Sequence, residues 1–444
     1  MLQCPGWIRC ICPVSGGEGE VSVAYYRARV TDAELTDRLR SSGAVLVEGP
    51  KACGKTETSR QQAGSVVMLD VDQLARAAAQ IDPTLILSGP TPRLLDEWQV
   101  VPQVWNAIRR QVDERGADGQ FILTGSATPA DDITRHTGAG RIARLRMRTM
   151  SMFETGHSSS AVSLAAIVAG IGSLSCPDPG LDLADLIELV CRGGWPAGLH
   201  RSLPDAQRGV RDYLDEIRRA DIQTLDGMRR DPIRVGAVLA ALARNVATEV
   251  TQATLAADAA GRDLSGRPRT ETVSDYLNAL TRLFLVEQQP AWAVHLRSKS
   301  RVRATPKQHF VDPSLAVAAL GATPADLRAD LSLFGLLFES MVIRDLRIYA
   351  QLFGAEIRHY RDNTGLEVDA IVTGGNDRWV AIEIKLGATT AIVDAAAANL
   401  RKFADRIDTT RCGDPSALVV IVGNGYGYQR PDGVLVVPIG ALCP

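Results

Sequence analysis

The chain has no CxxC pair and no Cys/His grouping at zinc-ligand spacing, although it carries eight cysteines. That excludes the common structural zinc folds, and scattered thiols of this kind fit a reducing cytosol. Cys4, Cys10 and Cys12 crowd the N-terminus, but no apolar core follows a positive start there, so no secretory signal is expected. The longest apolar stretch, Ala161–Leu174, is broken by Ser163, Gly170, Gly172 and Ser173. It falls short of the roughly 20 residues needed to span a bilayer, and no membrane partner is expected. Charge of either sign is also nearly absent in net terms. At −2 the chain has no global field to hold it on nucleic acid, and any such contact must come from a local patch. Neither an internal repeat nor a low-complexity tract is visible.

What remains is an ordinary globular composition, 45% hydrophobic and 23% charged, on 444 residues, too many for one core. Residues 1–24 lack periodicity and read as a disordered leader, or as sequence upstream of the working start. Residues 25–155 alternate short apolar runs with helical patterns. Val30–Leu39 reads as a helix opened by Thr31, with Glu34 completing a capping box. Ala44–Glu48, Val66–Leu69, Pro92–Leu95 and Gln120–Leu123 read as strands, and Val104–Val112 as a helix. Such alternation predicts an α/β fold with a doubly wound parallel sheet, its ligands at the carboxyl ends of the strands. Residues 156–235 read as a helical connector. In 236–312 the amphipathic helix Thr272–Val286, with Thr272 and Asp275 as its capping box, precedes an acid-free stretch in which Arg297, Lys299, Arg301, Arg303 and Lys307 alternate with other residues. Helix then basic ribbon predicts a winged-helix-like segment able to meet DNA phosphates. In 313–444 a very apolar helix around Leu333–Phe353 precedes strands at Ile357–Tyr360, Leu366–Val372, Trp379–Leu386 and Ala417–Val422.

Gly49-Pro50-Lys51-Ala52-Cys53-Gly54-Lys55-Thr56 fits G-x-x-x-x-G-K-[ST] without a gap. It follows an apolar strand and precedes a helix, as the motif requires. The glycines let backbone N–H groups surround a β-phosphate, Lys55 would bridge the β- and γ-phosphates, and the Thr56 hydroxyl would ligate Mg²⁺. Asp96, closing the strand Arg93–Leu95, supplies the expected Mg²⁺ carboxylate, and Glu97 beside it is placed to polarise the attacking water. Thr124 and Ser126 end the next strand, where a hydroxyl can sense the γ-phosphate. Arg141 could neutralise transition-state charge, from this chain or a neighbouring subunit. The expected ligands are ATP and Mg²⁺.

Tyr25-Tyr26-Arg27, the phosphate loop, Leu95-Asp96-Glu97, Ile122–Ser126, Gly140-Arg141 and Phe153-Glu154 come in an order that resembles a family of bacterial and archaeal predicted ATPases of the AAA-type (AAA+) superfamily. Arg192-Gly193-Gly194-Trp195-Pro196 and Lys307–Asp312 resemble segments of the C-terminal domain of unknown function carried by the same family. The resemblance implies ATP binding and says little about the work done.

A second constellation lies near the C-terminus. Asp369, Glu383 and Lys385 stand as D-x₁₃-E-x-K, resembling the core of restriction-endonuclease-like folds. Glu383 and Lys385 are two apart on a strand, so both leave one face. Two carboxylates can hold Mg²⁺ and the lysine can orient a water. Glu339, set in the apolar run Leu336–Ile343, is a candidate third carboxylate. The sequence therefore supports a cytoplasmic Mg²⁺-dependent AAA-type ATPase, with DNA and a homo-oligomer as candidate partners. Its alternatives are an ATP-regulated metal-dependent nuclease and a nucleotide-dependent binding switch with little turnover.

Overall fold

The computed structural model describes residues 26–127, 137–170, 173–225, 227–260, 268–293, 305–374 and 378–444. The leader at 1–24 and the basic residues Arg297, Lys299, Arg301 and Arg303 lie outside them.

The first unit runs α1 (Val30–Ser41), β1 (Ala44–Glu48), α2 (Lys55–Arg60), β2 (Ser65–Met68), α3 (Gln73–Ile81), β3 (Arg93–Asp96), α4 (Val104–Arg115), β4 (Phe121–Gly125) and β5 (Ile142–Arg146). Its five strands form a parallel sheet in the order β2-β3-β4-β1-β5. β1 and β4 are near-continuous apolar runs because helices cover both faces of the central strands. Ala44, Leu46, Leu95, Phe121 and Leu123 pack on one face, and Val45, Val47, Leu94 and Ile122 on the other. The parallel sheet is as expected, but the cap of α1 is not. Arg29 is the N-cap and its N–H donates to Asp32 at 2.8 Å, so Thr31 lies within the helix. β5, whose alternating Ile-Ala-Arg-Leu-Arg pattern marks a half-buried edge, was not read from the sequence.

The middle segment is helical, as its periodicity predicts: α5 (Leu183–Arg192), α6 (Leu203–Glu216), then α7 (Pro232–Arg244), α8 (Gln252–Asp258) and α9 (Thr270–Arg282). α6 runs on through a π-helical turn at Ile217–Asp221. An antiparallel pair follows, β6 (Val286–Gln289) with β7 (Lys307–Phe310), and Thr248, between α7 and α8, bridges to Gln308. The helix α9 starts at Thr270, with Arg269 as its N-cap, rather than on a Thr272/Asp275 box. Asp275 is instead spent on Arg230, whose Nε donates to it at 2.9 Å.

The last unit comprises α10 (Pro313–Leu320), α11 (Leu331–Gln351), β8 (Glu356–Arg361), β9 (Glu367–Thr373), β10 (Trp379–Lys385), α12 (Thr390–Arg406), β11 (Ala417–Val422), β12 (Gly427–Gln429) and β13 (Leu435–Pro438). The sheet order is β8-β9-β10-β11-β13-β12, completed by the short strand Ser175–Cys176. β8, β9 and β10 form an antiparallel meander, and β10 pairs parallel with β11 across the α12 connection. α11 is buried along most of its length and shares one core with α5, α7, α9 and one face of this sheet. α12 covers the other face through Ala396, Leu400 and Phe403.

Buried charges on α11 are all paired. Arg344 bonds Asp345 at 2.8 Å and Asp312 at 3.1 Å, while Asp345 accepts Met152 N–H and Asp312 accepts Gly194 N–H, both at 2.9 Å. The Gly193-Gly194-Trp195 segment is thus a seam. A side chain on Gly194 would meet Met150 O at 2.0 Å, and Trp195 Nε1 donates to Ser314.

Candidate functional site

β1 runs straight into the phosphate loop, which closes against β5. Gly49 admits no side chain, since a Cβ there would stand 2.0 Å from Met147 O. Ala52 (φ 61°) and Gly54 (φ 102°) turn the loop through left-handed backbone before α2. Lys55 is buried and its Nζ donates to Pro50 O at 2.8 Å, crossing the mouth of the loop. Pro50 supplies that carbonyl and no donor, Cys53 buries its thiol, and Lys51 turns its side chain outward to Asp221 at 2.6 Å. That ion pair ties the loop to the π-helical turn of the helical segment.

Arg29 fixes the loop from behind. Its guanidinium donates to Cys53 O at 2.8 Å, to Arg148 O at 2.9 Å and to Glu154 at 2.9 Å. Burial alone would favour a neutral Arg29, yet the Glu154 carboxylate keeps it charged. Tyr26 O–H bonds Asp32 at 2.5 Å and lies 2.9 Å from Thr58 Oγ1. No pattern around Arg29 signals this role in the sequence.

Thr56 and Asp96, forty positions apart in sequence, meet at the carboxyl edge of the sheet. Thr56 Oγ1 donates to Asp96 Oδ1 at 2.8 Å, and Thr124 Oγ1 donates to the same oxygen at 2.5 Å. Thr124 Oγ1 in turn accepts Glu97 N–H at 3.0 Å. Glu97 has left-handed backbone (φ 53°), a conformation costing on the order of 1–3 kcal/mol for a non-glycine residue. Its carboxylate accepts from Ser126 Oγ at 3.1 Å and from the Gln99 amide. Trp98 turns away from the site, is buried and packs at a tilt against Trp105, ring centroids 5.0 Å apart. Gly125 makes room for its indole.

Arg141 is a correction. It precedes β5, at the amino edge of a parallel sheet whose carboxyl edge carries the loop, and it pairs on the surface with Asp113 at 2.8 Å. Within its own chain it cannot approach the phosphate loop.

A cleft of about 770 Å³ opens above this edge. One wall holds Gly54, Lys55, Thr56, Glu97, Gln99 and Ser126, and the other holds Pro196, Ala197, Asp221, Leu225 and Leu283 of the helical segment. The loop side is mostly polar and the helical side mostly apolar apart from Asp221, on the scale of a nucleotide. Gln99 and Asp221 escaped the sequence reading because neither sits in a recognisable spacing. Among the described residues no three His, Cys, Asp or Glu side chains gather to hold a metal by themselves. A hydroxyl and one carboxylate remain, the small hard oxygen set that Mg²⁺ accepts when phosphates and waters supply the rest.

The second constellation also assembles. Asp369 Oδ2 accepts Ile384 N–H at 2.8 Å, Lys385 Nζ lies 2.8 Å from Glu383 and 3.5 Å from Asp369, and Asn399 Nδ2 donates to Glu383 at 2.5 Å. Glu339 reaches the same place from α11. An unexpected member is Lys307, whose buried Nζ lies 2.8 Å from Glu339, 2.8 Å from Glu367 and 3.7 Å from Asp369. Lys307 is therefore not part of an exposed basic ribbon. Burial, then the Asp369 charge, push the Glu339 and Glu383 carboxyls up to about 8. Burial opposes ionisation of Asp369 too, but Lys307 and Lys385 hold it below the usual range.

Residues 41–156 match the family model described as an AAA domain. This agrees with the strand–loop–helix geometry and the Thr56–Asp96 contact, and supports an AAA-type ATPase fold for the N-terminal unit. Residues 183–326 and 334–442 match two domains of unknown function, DUF8612 and DUF4143. The uncharacterised proteins Rv2008c of Mycobacterium tuberculosis and Mb2031c of Mycobacterium bovis are each 25% identical over 383 residues, 85% of this chain and 78% of theirs. Among solved structures, the Walker-type ATPase PABY2304 of Pyrococcus abyssi aligns at 12% identity and a TM-score of 0.38, over 65% of this chain and 94% of its own. The ORC2 protein of Aeropyrum pernix, in ADPNP-ADP complexes, aligns at 13% identity and a TM-score of 0.31, over 68% and 93%. No helix among the described residues is long and apolar enough to cross a membrane.

Proposed function

We propose that the chain is a Mg²⁺-dependent ATPase whose site is the cleft between the phosphate loop and the helical segment. The observation that carries this reading is the 2.8 Å contact between Thr56 Oγ1 and Asp96 Oδ1, which unites the two motifs an ATPase must bring together. In this reading the backbone N–H groups of Lys51 to Thr56 wrap the phosphates. Lys55 leaves Pro50 O for the phosphate oxygens, and Thr56 and Asp96 hold Mg²⁺. The ion, when bound, would neutralise charge on the phosphate oxygens. Glu97 polarises the attacking water, held meanwhile by Gln99 and Ser126. Pro196, Ala197, Leu225 and Leu283 offer the apolar wall a nucleoside needs. Arg141, at the far edge of its own sheet, can serve only a neighbouring subunit of a homo-oligomer. Phosphate release measured with and without single- and double-stranded DNA tests the reading. Wild-type turnover that Lys55→Ala abolishes is expected, and equal turnover in both would end it.

DNA is the partner we propose for the segment α7–α8–α9–β6–β7. Three helices, a bridge between the first two and a hairpin after the third support a winged-helix-like unit. Stimulation of phosphate release by duplex DNA is the expected outcome, and no change with either DNA would remove this partner.

A second reading concerns residues 313–444, which we propose to be an endonuclease-like domain. Support comes from the order helix α11, antiparallel meander β8–β9–β10, helix α12, parallel strand β11, with Lys385 paired to both Asp369 and Glu383 and Lys307 standing between Glu339 and Asp369. Incubation of plasmid with Mg²⁺ or Mn²⁺ tests whether it cuts. Cleavage lost in Glu383→Ala would support a working nuclease, and no cleavage would leave the fold without that activity in this state.

A further inference from the structure

Lys307 enters the C-terminal carboxylate cluster from outside the domain that builds it. It opens β7, the second strand of the hairpin, while Glu339 comes from α11, Glu367 and Asp369 from β9, and Glu383 from β10. Its side chain is 3% exposed. The ammonium stands 2.8 Å from Glu339 Oε1 and 3.7 Å from Asp369 Oδ1, between the very oxygens that a bridging cation would use. Divalent ions require carboxylate oxygens at roughly 2.0–2.6 Å, so an ion drawing in both carboxylates and this ammonium cannot share the space. Lys385 guards the opposite side of Asp369, at 3.5 Å from Oδ2.

The hairpin is fastened so that Lys307 cannot drift. His309, two residues on and therefore on the same side of β7, lies 3.1 Å from Ser340 Oγ on α11 and 2.9 Å from Gln289 Oε1 on β6. Gln289 Nε2 donates to Asp369 O at 2.9 Å. A buried ammonium held by buried hydrogen bonds costs desolvation and side-chain freedom, and buried carboxyls crowded together without a cation resist ionisation. Each solves the other's problem.

We propose that Lys307 is a resident ammonium occupying the cation position between Glu339 and Asp369, so that the hairpin keeps the C-terminal domain closed to divalent metal ions. The inference takes from the endonuclease-like reading only the place where a cation would sit; it does not require that the domain cut anything. Withdrawal of β7 would expose an oxygen-lined site for Mg²⁺ or Mn²⁺.

Mn²⁺ binding to the nucleotide-free full chain, followed by electron paramagnetic resonance, tests this. Wild type and Lys307→Arg should show no Mn²⁺ binding that Asp369→Asn removes. Lys307→Ala should gain one Mn²⁺, at least tenfold tighter than anything in wild type. Adding Asp369→Asn should abolish that gain, and millimolar ethylammonium should compete with it. Lys307→Met, which keeps most of the aliphatic stem, replaces Lys307→Ala if the latter does not fold. In wild type, acylation of Lys307 by an amine reagent should stay blocked when Mn²⁺ is raised to millimolar levels. A folded Lys307→Ala or Lys307→Met protein that gains no Mn²⁺ overturns the proposal. So does a wild-type Mn²⁺ site already lost in Asp369→Asn, or ready acylation of Lys307 in the folded chain. Gain of Mn²⁺ without plasmid cleavage supports the lock and counts only against cutting.

Discussion

Gly49 and Arg29 hold the phosphate loop in place without any part in chemistry. A methyl on Gly49 would stand 2.0 Å from the Met147 carbonyl, closer than any real contact, so the loop or β5 must move. Gly49→Ala should therefore lose nucleotide binding while far-UV circular dichroism stays near wild type, checked by titrating a fluorescent ATP analogue. Arg29 is buried on Glu154 at 2.9 Å, and removing one partner of such a pair leaves the other charged and unpaired. Arg29→Met should cost about 3–5 kcal/mol of stability in guanidinium unfolding. Glu97 differs from both, because among the described residues its carboxylate accepts hydrogen bonds from Gln99 and Ser126 alone. Glu97→Gln should keep ATP affinity within about threefold and lower turnover by on the order of 10², read from binding and phosphate release on one preparation.

At the scale of elements, what the sequence revealed follows from how local the cause is. Strands β1, β3 and β4 and helix α11 are legible because burial demands apolar runs at a fixed period. The phosphate loop is legible because its backbone demands glycine at fixed places. The caps of α1 and α9 are not legible because Arg29, not a usual cap residue, opens α1 with Asp32 at its third position, and Asp275 serves the distant Arg230. Lys307 looked like a surface cation because its alternation is that of any exposed ribbon. Only the carboxylates folded over it, from Glu339 to Asp369, make it interior. α3 presents the opposite case. It exposes Leu74 and Ile81 at 85% and 83% beside the edge strand β2, and the small Ala75, Ala78 and Ala79 do its packing. Leu74→Ser with Ile81→Ser should change unfolding free energy by no more than about 0.5 kcal/mol per site, measured in urea.

The whole molecule is joined through Glu287 on β6. Arg148 lies 2.9 Å from it, Arg347 3.0 Å and Arg146 3.5 Å, so one carboxylate ties the ATPase sheet, the hairpin and α11 together. Burial would raise its pKa, but the three guanidinium groups win and hold it down to about 2. A carboxyl depressed in the folded state stabilises fully above its unfolded value near 4.5 and loses that contribution as pH falls towards 2. Stability on the order of 3 kcal/mol should disappear over that window, and Glu287→Gln should flatten the pH dependence there while lowering stability at neutral pH. Thermal unfolding of both proteins from pH 6 to pH 2 checks it; parallel curves would show that this carboxylate does not join the parts. The claim on which the rest depends is that a triphosphate sits in the loop of Gly49 to Thr56. Calorimetric titration of ATP with Mg²⁺ into wild type and Lys55→Ala tests it most directly. The account predicts one site per chain in wild type, weakened at least tenfold by the substitution. Equal affinity in the two proteins, or no binding to either, would contradict it.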